Sequence, residues 1–357
     1  MTQTAIESGA WIEYNPISTI SDGTPIEFYV TGTGTDYMDL ANTQLYVKAQ
    51  VINPDGTPID NTQHVAPVNL LLHSLFNEVD VKLNDTLVSS TNNTYPYRAY
   101  IETLLSYGPS AKKSQLATFM YYKDVSGSME ESNPLDAAAA NTGMKKRHAL
   151  IANGRVVDLL GRLHTDLFFQ DKYLPCDVGM RIRLVRSKHA FCLMSDAAQP
   201  GYKIKIHECK LFVRKVKISP SVFFAHEKAL EISNAKYAIR RVICKSYTIA
   251  AGTHDNTQEA LFSGQLPSRI VLACVDNDAF NGTYRKNPFN FKNFDITSVK
   301  IFLDGQSQSH IKAIEPNFGA HQTSVHEFLH GHEHAGKKRR TRYSTRRLSQ
   351  RLLNIRL

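Results

Sequence analysis

Apolar and polar residues alternate with period two in several separated runs, and that pattern leaves few architectures open. Leu45, Val47, Ala49 and Val51 alternate with Tyr46, Lys48 and Gln50, which sets one side of a strand against a core and the other in water. The run stops at Asn53-Pro54-Asp55-Gly56, where proline presets one turn dihedral and glycine accepts a positive φ. Val79, Val81 and Leu83 alternate with Asp80 and Lys82 and stop at Asn84-Asp85. Met180, Ile182 and Leu184 alternate with Arg181, Arg183 and Val185, and Val299, Ile301 and Leu303 repeat the design before Asp304-Gly305. Further strands are expected over 25–30, 156–160, 166–169, 202–216, 238–249 and 269–275.

Helical spacing is rarer. Tyr97, Tyr100, Ile101, Leu104 and Leu105 share one helical face, closed by Gly108-Pro109. Residues 111–120 and 221–230 form two more candidates, the second opened by Pro220. The small, polar, alanine-rich stretch 126–143 reads as a long surface loop. Many strands with few intervening helices point to antiparallel sandwiches with inserted helices, not to βαβ units. The expected division is a first sandwich over 1–218, a junction helix over 219–235, a partial second sandwich over 236–316 and a tail over 317–357. Between 238 and 316 only three or four strands are legible, too few for an eight-stranded jelly roll.

Composition narrows the class further. At 42% hydrophobic and 10% aromatic residues the chain is globular in character. Residues 1–17 hold no apolar core of a signal peptide, and no run approaches the length of a spanning helix, so a soluble, intracellular, non-secreted protein is expected. The five cysteines, Cys176, Cys192, Cys209, Cys244 and Cys274, include no pair two to four residues apart. They read as small core residues in a reducing compartment.

Charge is concentrated at one end. Lys337, Lys338, Arg339, Arg340, Arg342, Arg346, Arg347, Arg351 and Arg356 lie in the last twenty-one residues with no acid, while the rest of the chain balances. Such a segment suits polyanion binding or nuclear import. With Tyr343 as its one aromatic residue, it is not a base-stacking surface.

Candidate chemistry in the body is sparse. His326-Glu327-Phe328-Leu329-His330 spells HExxH, and His334 supplies a third ligand on paper. On a helix that string would present two imidazoles to zinc, with Glu327 as general base. Gly331 interrupts such a helix, and five of the fourteen histidines crowd into 321–334, so the match reads better as a histidine-rich linker. Arg240-Arg241 and Arg181, Arg183 and Arg186 read as outward residues on strands. Asp276-Asn277-Asp278 lacks the glycine and distant glutamate of a calcium loop. No cofactor, catalytic set, small-molecule substrate or membrane partner is expected.

Several stretches resemble the major capsid protein of Polinton (Maverick) elements, virus-like transposons of eukaryotic genomes. They are Asn93-Thr94-Tyr95-Pro96-Tyr97-Arg98-Ala99-Tyr100 with the helix after it, Lys113-Ser114-Gln115-Leu116, Tyr122-Lys123-Asp124 and Gly161-Arg162-Leu163-His164. Phe168-Phe169-Gln170-Asp171, Ile182-Arg183-Leu184-Val185-Arg186, Leu211-Phe212-Val213-Arg214-Lys215-Val216, Ser219-Pro220-Ser221, residues 237–247 and residues 275–294 continue the likeness. The resemblance implies a double jelly roll that assembles with itself as pseudo-hexagonal homotrimers in a capsid lattice, and hence a virion location. It makes Phe280, Tyr284, Phe289 and Phe291 candidates for an intersubunit loop, or for packing within one subunit. The similarity fades at about 304–316, before family members finish the second sandwich, so a truncated or domesticated copy is expected. A host nucleic-acid-associated protein using the basic tail is the alternative function, and a zinc metalloprotease through 326–330 is a second.

Overall fold

The structure is a computed structural model. It describes residues 5–32, 34–175, 177–259, 261, 267, 269–296 and 299, together with the backbone of 302–303, 306–307 and 351–356.

The first ten strands are β1 (Ile6–Tyr14), β2 (Ile26–Val30), β3 (Asp36–Ile52), β4 (Ala66–Pro67), β5 (Phe76–Leu83), β6 (Thr86–Ser89), β7 (Val156–Gly161), β8 (Met180–Arg186), β9 (Leu193–Met194) and β10 (Lys203–Ile218). Eight of them build two four-stranded antiparallel sheets, ordered β1-β10-β3-β7 and β2-β8-β5-β6. The chain changes sheet at each step from β1 to β2, β3 and β5, makes one hairpin to β6, then alternates again through β7, β8 and β10. Eight strands wound this way are a jelly roll. The β4–β9 pair adds a two-residue ladder.

The alternation read from sequence sets the core. Leu45, Val47, Ala49 and Val51 of β3 are buried, as are Val79 and Val81 of β5 and Met180, Ile182 and Leu184 of β8. Ile204, Leu211 and Val213 of β10 join them, opposite Ile26, Phe28 and Val30 of β2. The β5–β6 turn has positive φ at both Asn84 and Asp85, which is the requirement of a type I′ hairpin and a conformation these two residues tolerate.

Five expectations change. β1 was not anticipated, because most of its residues are exposed and its sequence shows no clean alternation. It is an edge strand whose Trp11, 55% exposed, lies 5.3 Å under the Arg214 guanidinium. Residues 166–169 form a 3₁₀ turn instead of a strand, with the Asp166 carboxylate drawn inward to Arg98. The expected loop 126–143 ends in a helix, Thr142–Ile151, capped by Asn141, whose side-chain oxygen accepts the Met144 N–H at 3.2 Å. Residues 111–120 divide into a helical turn, Pro109–Lys113, and a 3₁₀ turn, Gln115–Phe119. Of 238–249, only β11 (Ser246–Thr248) is a strand.

The chain divides into two compact units. The first is Met1–Arg240 with Asp278–Asn290, and the second is Arg241–Asn277 with Phe291–Leu357. In the second, β12 (Ile270–Val275) and β11 flank β15 (Arg351–Arg356) in parallel, while β13 (Phe302–Leu303) and β14 (Gln306–Ser307) form a hairpin. The expected tail therefore carries a strand at Arg351–Arg356; of Val299, Ile301 and Leu303, the Ile301 position lies outside the described residues. The helix expected over 221–230 is present as Pro220–Ile232, within the first unit.

Gly161 is fixed by close approach. A Cβ on Gly161 of β7 would overlap the Phe119 ring and press on Leu72. Gly161→Ala is expected to destabilise the fold by about 1–3 kcal/mol through overpacking, measured as a lower urea midpoint at unchanged m-value.

Candidate functional site

The insertion between β6 and β7, residues 90–155, carries most of the helix in the first unit, and two buried polar clusters hold it in place. The first centres on Arg147 of the Thr142–Ile151 helix, a fully buried side chain. Its Nε donates to the Pro67 carbonyl at 2.7 Å and its Nη1 to the Tyr122 carbonyl at 2.5 Å. Its Nη2 meets Asp124 Oδ1 at 2.6 Å. The other Asp124 oxygen accepts from Asn287 Nδ2 at 3.3 Å, and the same amide donates to Met129 O at 3.2 Å. A charge this deep persists only when paired and hydrogen-bonded.

Asn287 belongs to the 278–290 segment, which returns to the first unit. Phe289, 1% exposed, stacks on Tyr100 with centroids 4.2 Å apart and planes 11° from parallel. Phe280 stacks on Tyr97 at 5.2 Å, and Tyr97 and Phe191 present edges to Phe289 at 5.9 and 6.1 Å. Tyr284 donates its hydroxyl to Tyr202 O at 2.7 Å, and its carbonyl accepts the Ser195 N–H. Asn290 and the Asn287 backbone both bond to Glu130. Phe280, Tyr284 and Phe289 thus make contacts within their own chain, whereas Phe291 lies in the second unit, half-buried.

The second cluster lies under the Tyr95–Ser106 helix. Arg98 reaches Glu102 Oε1 at 3.2 Å and Asp166 Oδ1 at 2.5 Å, and His164 Nδ1 meets Glu102 Oε2 at 2.7 Å. Burial pushes the Glu102 carboxyl up, but Arg98 and His164 outweigh it and hold it below the usual carboxylate range. His73 Nδ1 bonds the Tyr95 hydroxyl at 2.9 Å, and that oxygen also accepts the His164 backbone N–H at 3.2 Å.

None of these groups is poised as a nucleophile or a ligand set. Burial pushes the Cys192 and Cys209 thiols up to about 12 and Cys274 to about 11, so at neutral pH all three remain thiols. Cys244 is half-buried, and Cys176 lies outside the described residues. Among the described residues no group of three or more His, Cys, Asp or Glu is arranged to hold a metal ion. His326, His330 and His334 lie outside them, as do Lys337, Lys338, Arg339, Arg340, Arg342, Arg346 and Arg347. Arg351 and Arg356 begin and end β15. No helix among the described residues is long and apolar enough to cross a membrane.

The arginines of β8 have local duties. Arg183 pairs with Asp80 at 3.4 Å, Arg181 lies 5.7 Å from the Tyr29 ring, and Arg186 pairs with Asp22 and bonds Ile204 O. Arg240 and Arg241 are exposed. Asp278 pairs with Lys286 at 3.1 Å. Sequence reading missed the residues that organise the unit: Arg147, Asp124 and Asn287, and Arg98 with Glu102, His164 and His73. One signal was available, since Arg98 and Glu102 stand four apart beside the apolar stripe of their helix, where a charged pair is either a solvated edge or a buried bridge.

No family model matches the chain. An uncharacterized protein of Caenorhabditis elegans is 24% identical over 316 residues, covering 86% of this chain and 72% of that protein. Among solved structures, a chain of the Sputnik virophage aligns at TM-score 0.45 and 11% identity, over 62% of this chain and 50% of the other. The Faustovirus major capsid protein gives TM-score 0.37 at 10% identity, over 64% and 57%. The mavirus major capsid protein gives 0.35 at 12%, over 63% and 48%. The chain spans about half the length of these solved chains. The jelly-roll assignment rests on the strand order itself.

Proposed function

We propose that this chain is a structural shell subunit of a virus-like element, a major capsid protein that assembles with itself and performs no catalysis. The observation that carries the reading is the first unit: a jelly roll with all eight strands in order, whose buried charges hold an inserted helical layer in place. The Polinton resemblance of the sequence agrees with it. Self-assembling chains commonly close on a symmetry axis, and the Polinton resemblance makes a trimer the expected state. The test is the solution mass of the full chain by light scattering at low and high salt. The expected result is a species of about 120 kDa, three copies of the 40.1 kDa chain, persisting at high salt. A monomer at both salts would overturn assembly by this chain alone.

The basic end favours a second reading, contact with nucleic acid. Nine cations without an acid over 337–357 would neutralise phosphates and release counterions, with log K falling by about 0.9 per contact per decade of salt. DNA binding that is steep in salt and lost on deleting Lys337–Leu357 is the expected outcome. A salt-independent signal that survives the deletion would exclude it.

A further inference from the structure

We propose that His73, buried against His164, is an acid-sensing element: the cluster around it has no acceptor for an added proton, so acidification loosens the helical insertion of the jelly roll. His73 is 1% exposed and sits on the turn Leu71–Ser74. Its ring stands edge-on to His164, centroids 4.6 Å apart and planes at 88°. The surrounding elements bring a small set of groups to this point. The Tyr95–Ser106 helix supplies the Tyr95 hydroxyl, Arg98 and Glu102. The segment after β7 supplies His164 and Asp166. The Gln115–Phe119 turn supplies the Phe119 ring, 5.3 Å away.

Charge counting limits the protons. Arg98 faces the carboxylates of Glu102 and Asp166, so neutral histidines leave the cluster one negative charge in excess. His164 Nδ1 already points at Glu102, where that excess lies. A proton on His73 has no such place. Its Nδ1 is engaged by Tyr95, and its Nε2 is buried without a hydrogen-bond partner. An imidazolium there would be a buried charge whose Nε2–H finds no acceptor, costly in such a site, with a second imidazole beside it. Burial, and then the neighbouring His164, accordingly hold the His73 imidazole well below its usual range.

The sign follows from linkage. The unfolded chain binds a proton at His73 below the ordinary histidine value of 6.5, and the folded chain does not. The stability conferred by His73 is therefore full above that value and falls with acidification, by up to about tenfold in the folding constant per pH unit for one proton.

The experiment is urea unfolding of the full chain and its His73→Phe variant at pH 7.5, 6.5 and 5.5, which cancels the titration of the other histidines. The wild-type folding constant is expected to fall about fivefold further than the variant's between pH 6.5 and 5.5. A constant ratio between the two proteins across the series would overturn the proposal. If the variant does not fold, hydrogen exchange on the wild type decides. Corrected for intrinsic rates, protection of Leu71–Ser74 and Tyr95–Ser106 should drop at pH 5.5 relative to β3 and β10, and uniform protection would again overturn it.

Discussion

Replacing Phe289 by alanine is expected to cost about 3–5 kcal/mol, the range for truncating a fully buried aromatic side chain. The ring is 1% exposed and bounded on one face by Tyr100 and at its edges by Tyr97 and Phe191. These neighbours sit on the Tyr95–Ser106 helix and the His189–Cys192 turn, so they cannot close over the cavity without moving backbone. The ring also fixes a segment of the chain that otherwise holds to the first unit through the Phe280–Tyr97 stack and polar contacts of Asn281, Tyr284, Asn287 and Asn290. With domain stabilities of about 5–15 kcal/mol, a loss of this size should also open 278–290 to proteolysis under native conditions. Leu87→Ala, at a side chain 52% exposed, is the control and should change stability by no more than about 0.5 kcal/mol. A Phe289→Ala loss below about 1.5 kcal/mol, with unchanged cleavage, would mean that the segment is held by its polar contacts and the Phe280 stack.

The jelly roll was legible where burial is one-sided. β3, β5 and β8 alternate cleanly because each has one face on the core and one toward water, and their inward residues are the buried ones. β1 was illegible for the opposite reason: its residues are mostly exposed, so hydropathy carries no phase. The Thr142–Ile151 helix was masked by its own function. Its inward face holds Arg147 and His148 alongside Met144 and Ile151, so the pattern lacks a wholly apolar stripe even though the helix is buried. The discontinuity at 278–290 could not be read at all. Local periodicity says nothing about which unit a segment joins, and Asn287 reveals its role only beside Asp124, more than 160 positions away. The expected intersubunit aromatic residues show the same ambiguity: a loop rich in Phe and Tyr signals burial, and only the fold says against what.

The largest polar effect is expected at the Arg147–Asp124 pair. Asp124→Ala leaves a fully buried guanidinium with two carbonyl partners and no counter-charge, a change of about 3–5 kcal/mol. Arg147→Met should cost a similar amount, since it strands the Asp124 carboxylate and removes the donors that satisfy Pro67 O and Tyr122 O. For an isolated buried ion pair, replacing both partners with apolar groups of similar volume is often neutral. Here it should not be. In Arg147→Met/Asp124→Leu the two backbone carbonyls remain without donors, and Asn287 Nδ2 loses its carboxylate while keeping Met129 O. The double variant should therefore recover only the coupling between the two charges, on the order of 0.5–3 kcal/mol relative to the sum of the single losses. Urea unfolding of the four proteins at neutral pH measures that coupling directly. A double variant as stable as the parent would mean that water or neighbouring donors reach Pro67 O and Tyr122 O once the arginine is gone. The guanidinium would then be a simple charge partner, not the clamp that joins β4, the loop at Tyr122 and the 278–290 segment.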